Sequence, residues 1–60
     1  MKLDLAMRPK DCRAVDWLIL QSLAASGGDL ERAVAETGQS LAAVRMAAFQ
    51  WRAVWQRAKP

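Results

Sequence analysis

The fold of this chain is decided by residues 28–45, which have the sequence GDLERAVAETGQSLAAVR. Asp29 is a favourable N-cap, because its carboxylate accepts hydrogen bonds from the free N–H groups of a helix that starts at Leu30. Apolar residues then recur at helical spacing until Gly38, which ends this helix. Ser40 is placed to cap the helix that follows. The stretch therefore predicts two helices joined by a tight glycine turn.

The spacing inside this stretch is typical of a helix-turn-helix. Val34 takes the position where the two helices cross at close range, and Ala33 beside it provides extra space. Gly38, four residues later, supplies a backbone angle that other residues resist. Val44, six residues further, closes the small core under the second helix. Valine at the first position departs mildly from the commoner alanine.

The remainder of the chain predicts one more helix and a long last one. Pro9 suits the first position of a helix, and Ser26-Gly27-Gly28 ends it, which gives a first helix over residues 9–25. The second helix covers residues 30–37, and the last runs from the Ser40 cap to about Arg57 without glycine or proline. We therefore expect residues 1–60 to form a single all-α, three-helix domain with a C-terminal helix-turn-helix and a long last helix.

The N-terminal residues 1–8 are a possible arm. Apolar residues alternate with polar or small ones at Met1, Leu3, Leu5 and Met7, a pattern of period two that is too short to form a strand alone. An arm that packs on the domain, an edge that pairs with another chain and a loosely ordered terminus all remain open.

Composition excludes several classes of function. The 60 residues include one cysteine and no histidine, which excludes an internal disulfide, the usual zinc ligand sets and any histidine-based catalytic relay. We therefore expect no enzyme activity, no metal, no cofactor and no small-molecule ligand. No purely apolar run, that of residues 17–20 included, is longer than four residues, well short of the roughly 18 that a membrane span requires. A soluble cytoplasmic protein is expected.

Two known groups of regulators resemble this chain. Residues 28–38 resemble the opening of the Fis-type helix-turn-helix found at the C-terminus of NtrC-type activators. Residues 36–45 are similar to the helix-turn-helix of sigma factor region four and of LuxR-type regulators. The resemblance implies DNA binding through the helix that starts after Ser40, and sigma region four also contacts RNA polymerase and activators.

Charge is distributed unevenly along the sequence. Up to Gly38 there are five basic and six acidic residues, a net charge of −1, whereas from Gln39 onward there are four basic residues and no acid, a net charge of +4. This favours a polyanionic partner, although a solvated helix face explains the charge equally well. The candidate DNA contacts on and near the last helix are Gln39, Ser40, Arg45 and Arg52. A single helix-turn-helix makes few base contacts, so a dimer or an accessory protein is expected.

The outward face of the last helix is unusually apolar. It carries Ala42, Met46, Phe49 and Ala53, which leave few hydrogen-bonding groups for base recognition. Either a second copy or another protein covers this face, or the first helix or the N-terminal arm buries it within the monomer. The rival function is therefore a protein-interaction module that docks on a protein such as RNA polymerase or another regulator.

Core packing between the first and last helices best explains the three tryptophans, Trp17, Trp51 and Trp55. Base stacking is the alternative. Cys12 is expected to be a small hydrophobic residue. The alternative is a reactive thiol, because a place near the predicted start of the first helix can lower the pKa of a cysteine.

Overall fold

The structure is a computed structural model that describes residues 5–57, and every regular element in that range is helical. A short 3-10 helix, Leu5–Met7, precedes four α-helices: α1 (Ala14–Ser26), α2 (Leu30–Thr37), α3 (Leu41–Gln50) and α4 (Arg52–Arg57). The predicted all-α, three-helix fold is confirmed, with the last helix divided into α3 and α4. Met1 and Leu3 of the alternating N-terminal pattern lie outside the described residues, and Leu5–Met7 is helical rather than extended.

Helix α1 begins at Ala14, so the predicted start at Pro9 is wrong. The intervening residues form a turn in which the Cys12 amide donates to the Pro9 carbonyl at 3.1 Å. The Arg8 Nε atom then donates to the Cys12 carbonyl at 3.0 Å. Arg13 is extended, with φ −68° and ψ 157°, and serves as the N-cap without a side-chain hydrogen bond. Proline here opens a turn that buries Cys12 instead of opening a helix.

The predicted caps of α2 and α3 are confirmed. The Asp29 carboxylate accepts from the Arg32 amide at 3.1 Å, and the Ser40 hydroxyl oxygen accepts from the Ala43 amide at 3.1 Å. Gly38 has φ 69°, in the left-handed region that favours glycine, and its amide donates to the Val34 carbonyl. These three residues set the length and direction of the turn between α2 and α3.

The last helix is interrupted at Trp51, where φ is −110° and ψ is 27°. In a continuous helix the Ala48 carbonyl would accept from the Arg52 amide. It accepts instead from the Trp55 indole Nε1 at 2.9 Å. Helical residues therefore extend to Arg57 as expected, but in two segments rather than one, and this difference comes from a side chain that competes for a backbone acceptor.

The core lies between α1 and the helix-turn-helix. α1 contributes most of the fully buried residues, α2 contributes Ala33, and α3 contributes Val44 and Ala47. Trp51, Val54 and Trp55 are half-buried and pack on its edge. The buried apolar residues are Cys12, Trp17, Ile19, Leu20, Leu23, Ala24, Ala33, Val44 and Ala47. The three tryptophans thus pack in or against the core.

No helix within residues 5–57 is long and apolar enough to cross a membrane.

Candidate nucleic-acid interface

Helix α3 turns one face to the core and leaves the other accessible. Val44 and Ala47 are buried and fix the inward direction. On α2 the fully buried residue is Ala33, and Val34 is half-buried beside it. The compact position of the helix crossing is thus occupied by Ala33 and not by Val34, which explains why the valine is tolerated.

Two of the predicted DNA contacts lie at the start of α3. Ser40 is exposed, and its oxygen accepts the Ala43 amide, which leaves its hydroxyl proton and one lone pair for a further partner. Gln39 is half-buried, and its backbone amide donates to Thr37 Oγ1 at 3.4 Å. Both residues therefore have fixed backbones at the end of the helix where free N–H groups attract anions.

The arginines of α3 and α4 are exposed and have no carboxylate partner within the described range. Ion pairs do form elsewhere, between Arg13 and Asp16 at 3.6 Å and between Arg32 and Glu36 at 3.4 Å. Arg45 and Arg52 take part in neither, and residues 39–57 contain no acid. Their guanidinium groups are therefore available to a phosphate backbone or a base edge.

The predicted apolar face is exposed to solvent. Met46 is 70% exposed and Phe49 is 83% exposed, and Ala42 and Ala53 are exposed as well. Neither α1 nor Leu5–Met7 covers Met46 and Phe49, so of the two alternatives the one in which these elements bury the face within the monomer is wrong for the described residues. Because α3 ends at Gln50, Ala53 belongs to α4, and the stripe on α3 itself stops at Phe49.

Cys12 is buried, as expected of a small hydrophobic residue, and the alternative of a thiol with a lowered pKa is wrong. Desolvation raises the pKa of the Cys12 thiol, and the nearby Asp16 carboxylate raises it further, while Arg8 opposes both.

One polar contact between helices was not predicted from the sequence. The Ser22 hydroxyl on α1 donates to Glu36 Oε1 on α2 at 2.6 Å. This hydrogen bond lowers the pKa of the Glu36 carboxyl, desolvation opposes it, and Arg32 adds to the lowering. The spacing of Arg32 and Glu36 marks a helical ion pair in the sequence, but no pattern links either residue to Ser22. The contact joins α1 to α2 and borders a shallow groove of about 280 Å³ that Leu18 and Gln21 also line.

Within residues 5–57 no group of three or more aspartate, glutamate or cysteine side chains is placed to hold a metal ion. No protein-family model, curated protein or solved structure matches this chain.

Proposed function

We propose that this protein is a small DNA-binding or transcription-associated regulator in which α2 and α3 act as a helix-turn-helix and α3 enters the major groove. The observation that supports this is the accessible outer face of α3, which presents Arg45 and no acidic residue. A recognition helix needs such a face, because it must approach a polyanion without repulsion.

The candidate contacts lie at three places on α3 and α4, and each place suits a different part of the DNA. Gln39 and Ser40, at the start of α3, meet a phosphate or the edge of a base. Arg45 lies about 100° around the helix from the inward Val44 and so reaches the flank of the groove, where it bonds guanine or phosphate. Arg52, beyond the Trp51 interruption, contacts the phosphate backbone.

The size of the domain favours binding as a dimer or beside a second protein. Its longest dimension is 26 Å. Successive faces of the major groove are roughly 34 Å apart, so one copy cannot reach two of them. The site of action is a reducing compartment such as the cytoplasm, which suits the single free thiol of Cys12.

The test is a titration of a fluorescent mixed-sequence duplex at several salt concentrations, followed by anisotropy. Arg45→Ala and Arg52→Ala weaken binding and reduce the slope of log K against log salt by about 1 each, the value for one lost phosphate contact. Lys10→Ala is the matched control, because Lys10 is exposed but lies in the turn before α1. Equal losses for all three variants would indicate diffuse attraction and contradict docking through α3.

A second candidate is a protein-interaction module, which the exposure of Met46 and Phe49 favours. Such a module docks its apolar α3 face on a polymerase subunit, another regulator or a second copy of this chain. Binding through Met46 and Phe49 would change little with salt, in contrast to the steep loss expected for phosphate contacts. The same titration, repeated with a candidate protein partner, therefore separates the two functions.

A further inference from the structure

The interruption at Trp51 limits the apolar face of α3 to a length that matches one crossing of the major groove. Ala42, Met46 and Phe49 cover two turns, about 10 Å along the helix axis at 1.5 Å per residue. The major groove of B-DNA is about 12 Å wide. The exposed apolar residues of α3 therefore occupy the part of the helix that a groove encloses, and the stripe does not continue along the same helix to Ala53.

The outer face of α3 has few side chains that can form hydrogen bonds. Within α3 only Arg45 and Gln50 have side chains that form hydrogen bonds, so few base edges can be read by donors and acceptors. The apolar group that base pairs present in the major groove is the C5 methyl of thymine. Alanine and phenylalanine are among the residues that contact it, and the flexible thioether of methionine adapts to such small apolar groups.

Charge favours DNA over a protein as the occupant of this face. Arg45 precedes Met46 and lies one helical turn before Phe49, and it is exposed without a carboxylate partner among residues 5–57. The exposed Arg52 and Arg57 follow on α4. An apolar strip bordered by unpaired cations complements a groove that has methyl groups on its floor and phosphates along its walls.

We propose that α3 recognises thymine-containing DNA mainly through contacts of Met46 and Phe49 with thymine methyl groups, an inference that rests on the proposed DNA binding. The substrate class is thus duplex DNA rich in A·T pairs, distinguished by its methyl groups rather than by its hydrogen-bonding pattern. Arg45 fixes the helix on the duplex, and the side chains of Met46 and Phe49 supply the preference for thymine.

Uracil substitution tests this directly, because uracil differs from thymine only by the absence of the C5 methyl. The full chain is titrated with an A·T-rich duplex and with the same duplex carrying uracil at every thymine position. Binding to the uracil duplex weakens by about fourfold for each methyl contacted, the ratio that corresponds to burying one methylene-sized group. A G·C-rich duplex gains affinity when 5-methylcytosine replaces cytosine, since this restores a methyl at the same position.

Variants assign the effect to α3. Met46→Ala and Phe49→Ala lower affinity for the thymine duplex and remove most of its advantage over uracil. Leu18→Ala is the control, because Leu18 is 58% exposed and apolar but lies on α1. All three side chains are exposed, so the fold is expected to survive, which circular dichroism verifies.

The possible results distinguish a failure of the thymine methyl contacts from a failure of DNA binding itself. Equal binding of the thymine and uracil duplexes, or loss of the preference in Leu18→Ala, overturns the methyl contacts and leaves DNA binding intact. Failure to bind any duplex at low salt overturns both proposals.

Discussion

At the scale of single residues, Gly38 has the sharpest conformational requirement in the helix-turn-helix. Its φ of 69° lies in the left-handed region, and a Cβ added there would meet no atom within 4 Å. The cost of any other residue is therefore conformational and not steric. Gly28 differs, because it combines a φ of 102° with close packing: a Cβ there would lie 3.2 Å from Trp55 Cη2. The two glycines thus constrain the fold for different reasons.

Gly38→Val should lower the free energy of unfolding by about 1–2 kcal/mol, the cost of a left-handed conformation in an L-residue. In a domain of this size, each kcal/mol lowers Tm by about 4–8 °C. Gly38→Asn is the matched control, since it adds a Cβ in the same open space but enters the left-handed region more readily. In thermal unfolding, Gly38→Val should lower Tm more than Gly38→Asn does. Equal losses, or none in Gly38→Val, would show that the turn does not depend on this conformation.

At the scale of elements, the sequence predicted those helix ends that are set by contacts between residues close along the chain. Asp29, Gly38 and Ser40 fix their own caps and turn through contacts within four residues, so the bounds of α2 and the start of α3 follow from the sequence. The start of α1 and the interruption at Trp51 do not. The first depends on a turn that buries Cys12, and the second depends on Trp55 reaching the Ala48 carbonyl. Helical periodicity carries no information about either contact.

The two C-terminal indoles allow this explanation to be tested. Trp55→Phe keeps an aromatic ring but removes the donor to the Ala48 carbonyl, so stability should fall by about 1 kcal/mol, the net contribution of a typical hydrogen bond. Trp51→Phe is the control, because its buried Nε1 has no hydrogen-bond partner in the described part of the chain. Urea unfolding should show a smaller loss for Trp51→Phe than for Trp55→Phe. The reverse order would contradict the role given to the Trp55 indole.

At the scale of the whole molecule, the outer face of α3 is a separate surface from the contact between α1 and α2. Arg45, Arg52 and Arg57 are exposed on α3 and α4 without an acid partner among residues 5–57, whereas Ser22, Arg32 and Glu36 form a neutralised cluster between α1 and α2. The sequence predicted which residues of α3 lie on its exposed face, because helical periodicity assigns faces once Val44 is placed inward. It did not predict whether another part of the monomer covers Met46 and Phe49, since that depends on the path of the N-terminal residues and of α1.

Amide chemical-shift mapping shows whether the outer face of α3 binds DNA. A ¹⁵N-labelled sample of the full chain is titrated with a 16-base-pair duplex (about one and a half helical turns) at low salt. DNA binding through this face predicts that the largest shifts fall on residues 39–50, with Arg45, Met46 and Phe49 among them, while the buried Leu20 and Leu23 of α1 change little. Shifts concentrated instead on Leu18 and Gln21 beside the α1–α2 groove, or no shifts on α3 at saturating DNA, would contradict it.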